Sequence, residues 1–175
     1  LVLESDRSYQ ATFKIEGGVD TALEVFKAHP GNPTLQATVL SLLSVACSLP
    51  LSSTSTGSSE IGQSGAFPAG VISAALQGLE STHEALRATA VPLLLHVASC
   101  PDNAPVLHRH RAVEKVVALL KQCTTNRKLL AVALQVLMQL ANDQDMRQAA
   151  GEHGMVELVF GLLVKEQKHP TKEDL

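Results

Sequence analysis

The stretch that decides the fold is Asn103–Asn142, NAPVLHRHRAVEKVVALLKQCTTNRKLLAVALQVLMQLAN. Its apolar spacing predicts three helices. A short one covers Ala104–Arg109, a middle one Val113–Gln122 and a long one Asn126–Ala141. In the middle helix Val113, Val116, Val117, Leu119 and Leu120 recur at the three-to-four spacing of one helical face. In the long helix Leu129, Leu130, Val132, Ala133, Val136, Leu137 and Leu140 cover more than half the circumference. A helix that apolar must bury itself on two or three sides, and a helix triplet repeated about every forty residues meets that demand by stacking.

The same unit recurs through the chain. Middle helices open at Gly18-Val19, Gly70-Val71-Ile72, Ala112-Val113 and Gly154-Met155-Val156. With Val19, Ile72, Val113 and Val156 as equivalents, the intervals are 53, 41 and 43 residues. The long helices align on Leu42-Leu43-Ser44-Val45-Ala46, Leu94-Leu95-His96-Val97-Ala98 and Leu137-Met138-Gln139-Leu140-Ala141. Their third positions are 52 and 43 apart. The excess in the first interval falls in a Ser/Thr/Gly-rich insertion, residues 51–68. The units are 8–50, 58–100, 102–142 and a truncated 144–175, all within a single domain over 1–175.

These residues resemble the armadillo repeat family: the Gly/Ala-Val opening of the middle helix, the Leu-Leu-x-Val/Leu-Ala close of the long one, and lead-ins such as Ser8–Glu16, Asn103–His110 and Asp145–His153. The resemblance covers nearly the whole chain. It implies an all-α, right-handed solenoid of three-helix repeats whose long helices line a concave groove that binds a protein or peptide partner. Family members that grip extended peptides carry an Asn just before the closing apolar-Ala pair, often with a Trp four residues earlier. The matching positions here are Ser44, His96 and Gln139 for Asn, and Leu40, Pro92 and Gln135 for Trp. None is Asn and the chain has no Trp, a departure from the ladder that holds basic nuclear-import signals. Ser44, His96, Gln135 and Gln139 remain the candidate groove residues. For His96 the alternative is a satisfied, half-buried histidine, and for Ser44 a bond to the Leu40 carbonyl of its own helix.

Composition narrows the function classes. Apolar residues make up 45% and aromatic ones 3%, which suits Leu/Val/Ala helices better than sheets. A formal charge of −3 argues against a nucleic-acid partner. No apolar run approaches the ~20 residues of a membrane span, and none at the start reads as a signal peptide. The absence of an initiator Met points to a piece of a longer chain. Cys47, Cys100 and Cys123 are widely spaced, without a Cys-x-x-Cys pair, so small apolar packing is expected in a reducing compartment, the cytoplasm or alternatively the nucleus.

Nothing in the chain reads as an enzyme. It has no phosphate-cradling Gly loop and no nucleophile–base arrangement in a strand–turn–helix setting, so neither cofactor nor metal is expected. The most conspicuous polar run is His108-Arg109-His110-Arg111. Histidines at i, i+2 on a helix point apart and make a poor metal pair. With Lys115, Lys121, Arg127 and Lys128 near in sequence, the run is either a basic patch for an acidic partner or a solvated turn. The alternative to a groove-binding scaffold is a regulatory segment of a larger protein, such as a ubiquitin ligase, kinase or chaperone cofactor, contacting partners through its ends or convex face, with self-association through the truncated fourth repeat.

Several local signals set further expectations. Asn32-Pro33 starts a helix that runs to about Ser48. Ser81-x-x-Glu84 reads as a capping box opening a helix over Thr82–Ser99, kinked near Ala88–Pro92 by Pro92. The insertion is expected to be a flexible loop, or alternatively a segment regulated by phosphorylation of its Ser and Thr hydroxyls, with one helical turn near Glu60–Gln63. The fourth repeat ends in a polar tail, KEQKHPTKEDL, that supplies at most one turn of a long helix, leaving Val159, Leu162 and Leu163 in need of cover.

Overall fold

The computed structural model describes residues 12–13, 16–47, 67–122 and 126–168. Among them every regular element is a helix. In chain order these are α1 (Gly18–Ala28), α2 (Pro33–Cys47), α3 (Ala69–Leu79), α4 (Glu84–Ala98), α5 (Ala104–Arg109), α6 (Ala112–Gln122), α7 (Arg127–Leu140), α8 (Gln144–Glu152) and α9 (Met155–Lys168). A 3-10 turn, Pro101–Asn103, leads into α5.

The helices form two stacked layers. The long helices α2, α4 and α7 pack on one another in that order, and α1, α3 and α6 form a parallel row beside them. The short helix α5 lies against α3 and α6, and α8 bears the same relation to α6 and α9. One core of Leu, Val, Ala and Ile fills the space between layers.

Burial repeats along the chain with the spacing expected from the sequence. Val71, Ile72, Ala75, Leu76, Gly78 and Leu79 of α3 are buried, and so are Ala112, Val113, Val116, Val117, Leu119 and Leu120 of α6, each 41 residues on. Ala22, Leu23 and Phe26 precede Ala75, Leu76 and Leu79 by 53. In the long helices Leu86, Ala90, Leu93, Leu94 and Val97 are matched by Leu129, Ala133, Val136, Leu137 and Leu140, 43 residues later. The first long helix departs from the alignment by one position. Val39, Leu40, Leu43 and Ala46 correspond in burial to Ala90, Val91, Leu94 and Val97, an interval of 51 rather than 52. Leu42 and Leu43 are adjacent and both apolar, so the sequence pattern fits either offset. The rotation of α2 about its axis decides which of them turns inward.

Helix starts follow local chemistry. The amide of Leu35 donates to Asn32 Oδ1 at 3.0 Å, that of Leu129 to Asn126 Oδ1 at 3.1 Å, and that of Met146 to Asp143 Oδ1 at 3.1 Å. Each bond satisfies one of the unpaired N–H groups in a first helical turn. Three middle helices are entered through a left-handed residue at equivalent positions: Gly17 (φ 76°), Arg111 (φ 53°) and Gly154 (φ 74°). Glycine adopts this conformation freely, whereas an L-side chain such as that of Arg111 is strained by it.

Two expectations are corrected. The capping box is absent, because α4 begins at Glu84 with His83 as its cap. Ser81 Oγ accepts from the His83 amide at 3.1 Å, and Glu84 Oε1 accepts from Asn126 Nδ2 at 2.7 Å. Lys165–Lys168 prolong α9 rather than starting a further helix. Val159 and Leu162 are half-buried, the Leu163 side chain lies outside the described residues, and Val156, Phe160 and Val164 of α9 are exposed. Pro92 lies inside α4, which runs from Glu84 to Ala98 as one helix. The expected turn at Glu60–Gln63, most of the 51–68 insertion, most of the Ser8–Glu16 lead-in and the Cys123 position lie outside the described residues.

Candidate functional site

Two of the four expected groove residues meet. Ser44, near the end of α2, and His96, near the end of α4, are half-buried, and Ser44 Oγ lies 3.4 Å from His96 Nδ1. The contact crosses the seam between successive long helices, so Ser44 finds its partner in the next repeat instead of in its own Leu40 carbonyl. Burial holds the His96 imidazole below its ordinary pKa of 6.5, because desolvation penalises the charged form. His96 is therefore a neutral hydrogen-bonding group at physiological pH, with Nδ1 toward Ser44.

Gln139 occupies the position on α7 that His96 holds on α4, 43 residues earlier. It is half-buried, and its Oε1 accepts from Asn142 Nδ2 at 3.2 Å, which leaves its amide N–H groups directed elsewhere. Gln135, one turn earlier on the same helix, is exposed. The structure thus joins Ser44 to His96 directly and sets Gln135 and Gln139 on the neighbouring helix.

The basic run separates from this surface. His108 and Arg109 close α5, His110 is its C-cap, and Arg111 is the left-handed residue before α6. His108, Arg109 and Arg111 border a cleft of about 400 Å³ with Glu114, Met146 and Ala149, while His110 does not line it. Glu114 offsets the positive charge: its Oε2 lies 3.7 Å from Arg111 Nη1, and its Oε1 lies 3.3 Å from His153 Nε2. Lys115 pairs with Glu80 at 3.0 Å, and Arg127 and Lys128 begin a helix of the other layer. Acidic partners thus stand beside Arg111 and Lys115, and Arg127 and Lys128 stand on a different helix from Lys115.

Two buried polar residues carry structural roles that sequence reasoning passed over. Asn103 is 1% exposed; its Nδ2 donates to the Val97 carbonyl at 2.8 Å, and its Oδ1 accepts from the Phe67 amide at 2.9 Å. Gln36 Nε2 donates to the Phe26 carbonyl at 3.2 Å, tying the end of α1 to α2. An Asn before Ala-Pro signals a helix start, but a partner 36 residues away leaves no local trace.

Among the described residues no three His, Cys, Asp or Glu side chains gather into a metal-holding cluster, and no helix is long and apolar enough to cross a membrane. No protein-family model, no curated protein and no solved structure matches the chain.

Proposed function

We propose that the chain is an armadillo-type solenoid acting as a non-catalytic protein-interaction module, with a partner segment bound along the surface of its long helices. The observation that carries this reading is the half-buried Ser44–His96 pair across the seam of two long helices, with Gln139 half-buried at the position on α7 that His96 holds on α4. Beside otherwise apolar helices, polar groups held just below the surface supply hydrogen bonds to a peptide backbone without a large desolvation penalty. The burial intervals of 41 and 43 residues support the repeat architecture, since both lie within the armadillo/HEAT range.

The test is a capture experiment from cell extract with the chain beside a His96→Ala/Gln135→Ala/Gln139→Ala variant. Circular dichroism first establishes that the variant retains its helices. A partner captured by the parent and lost by the folded variant supports groove binding. Equal capture by both refutes it.

A further inference from the structure

The cleft of about 400 Å³ at the end of α5, the start of α6 and the flank of α8 falls within the volume range of small-ligand sites. Its floor is apolar, since Val113 and Met146 are buried and Ala149 is half-buried. The internal repeat accounts for the space. Ala149 and Ala150 of α8 come 43 residues after Val106 and Leu107 of α5, and α8 packs on α6 as α5 packs on α3. Two side chains shortened to methyl groups leave room beside α6 that Val106 and Leu107 occupy beside α3.

The rim is cationic. His108, Arg109 and Arg111 border the cleft, whereas the equivalent residues 41 positions earlier, Phe67, Pro68 and Gly70, carry no charge. Glu114 also lines it, but its two carboxylate oxygens face Arg111 and His153. Arg109 is exposed and has no ion pair among the described residues. Arg111 takes a left-handed backbone where Gly17 and Gly154 stand in other units, so an arginine is kept here at a cost in strain.

We propose that this cleft binds a carboxylate carried on a short aliphatic body, with the body against Val113, Met146 and Ala149 and the carboxylate at Arg109 and Arg111. Burial of methyl and methylene groups on the floor is favourable, and a guanidinium matches a carboxylate with two parallel N–H···O bonds. A peptide ending in leucine and a free branched acid such as isocaproate both present this chemistry. The site is distinct from the Ser44–His96 surface, so either can fail without the other.

A short fluorescein-labelled peptide of glycine and serine ending in leucine is titrated with the 175-residue chain at low ionic strength and followed by anisotropy, and isocaproate is titrated in parallel by calorimetry. Saturable binding of the peptide alone assigns the site to a chain terminus, and of isocaproate alone to a free acid. Affinity should fall at least about tenfold when the carboxylate is amidated, and likewise in Arg109→Ala and Arg111→Gly. Arg111→Gly relieves the strained backbone, so its lost affinity should accompany a raised melting temperature, a pairing that damage to the fold does not produce. Ala149→Val, which restores the side chain of the preceding unit, should weaken binding while keeping the parent's circular dichroism spectrum. The proposal is overturned if neither ligand binds with a Kd below about 10 mM. It is also overturned if the amide binds as tightly as the acid, or if the folded variants keep the parent's affinity.

Discussion

Replacing Asn103 by Ala removes a side chain that is 1% exposed and bridges two backbone groups from different parts of the chain. The Phe67 amide loses its acceptor at 2.9 Å, and the Val97 carbonyl loses a donor at 2.8 Å. The carbonyl keeps a second bond from the Cys100 amide at 3.3 Å, so its loss is partial. Two hydrogen bonds at about 1 kcal/mol each, plus part of the cost of an orphaned amide, give an expected loss of about 2–3 kcal/mol. In a chain of this size that lowers Tm by roughly 5–10 °C. Urea titration followed by far-UV circular dichroism measures the change. Asn103→Asp should cost more at neutral pH, since it sets a carboxylate oxygen against the Val97 carbonyl. Its carboxyl pKa in the folded state should rise above the unfolded value of about 3.9. Stability of that variant is then highest at low pH and is lost as pH rises through the folded pKa. An Asn103→Ala variant within about 0.5 kcal/mol of the parent would refute the bridging role.

Other substitutions test different parts of the argument. The lowered pKa of His96 means that protonation opposes folding. Its contribution to stability is complete above pH 6.5 and falls as pH drops below that value through the folded pKa. His96→Gln should flatten this part of a stability–pH profile, and parallel profiles for parent and variant would count against it. At Gly78 helix propensity and packing make opposite predictions. Alanine is favoured by about 1 kcal/mol in a helix, but its Cβ would stand 2.7 Å from the Ala90 Cβ and 2.8 Å from Leu40 Cδ1. Gly78→Ala should destabilise by about 1–3 kcal/mol in thermal melts, and a stabilised variant would show that the three helices are not in close contact there. Arg111→Gly should stabilise by about 1 kcal/mol by relieving the left-handed backbone, with little lost from its exposed ion pair. Gly154→Ala should destabilise by a similar amount at the equivalent turn. Equal melting of the parent, Arg111→Gly and Gly154→Ala would contradict the shared geometry.

The sequence alone determined the helices and their period. Which residues of α3, α6, α4 and α7 are buried follows from apolar spacing along each helix, and spacing survives translation into structure because 3.6 residues always make one turn. Asn32 was legible as a helix start for a related reason, since the cap bonds to an amide only three residues away. The tertiary structure decided what depends on how one helix lies on the next. Whether Leu42 or Leu43 faces inward rests on the rotation of α2. That Ser44 reaches His96, that Asn103 bridges Val97 and Phe67, and that Glu84 is claimed by Asn126 all rest on contacts between residues far apart in the chain. The same holds for the exposed Val156 and Phe160. Their composition is that of core residues, yet they stand exposed on α9, because burial belongs to the assembled layers and not to the segment that carries the side chain.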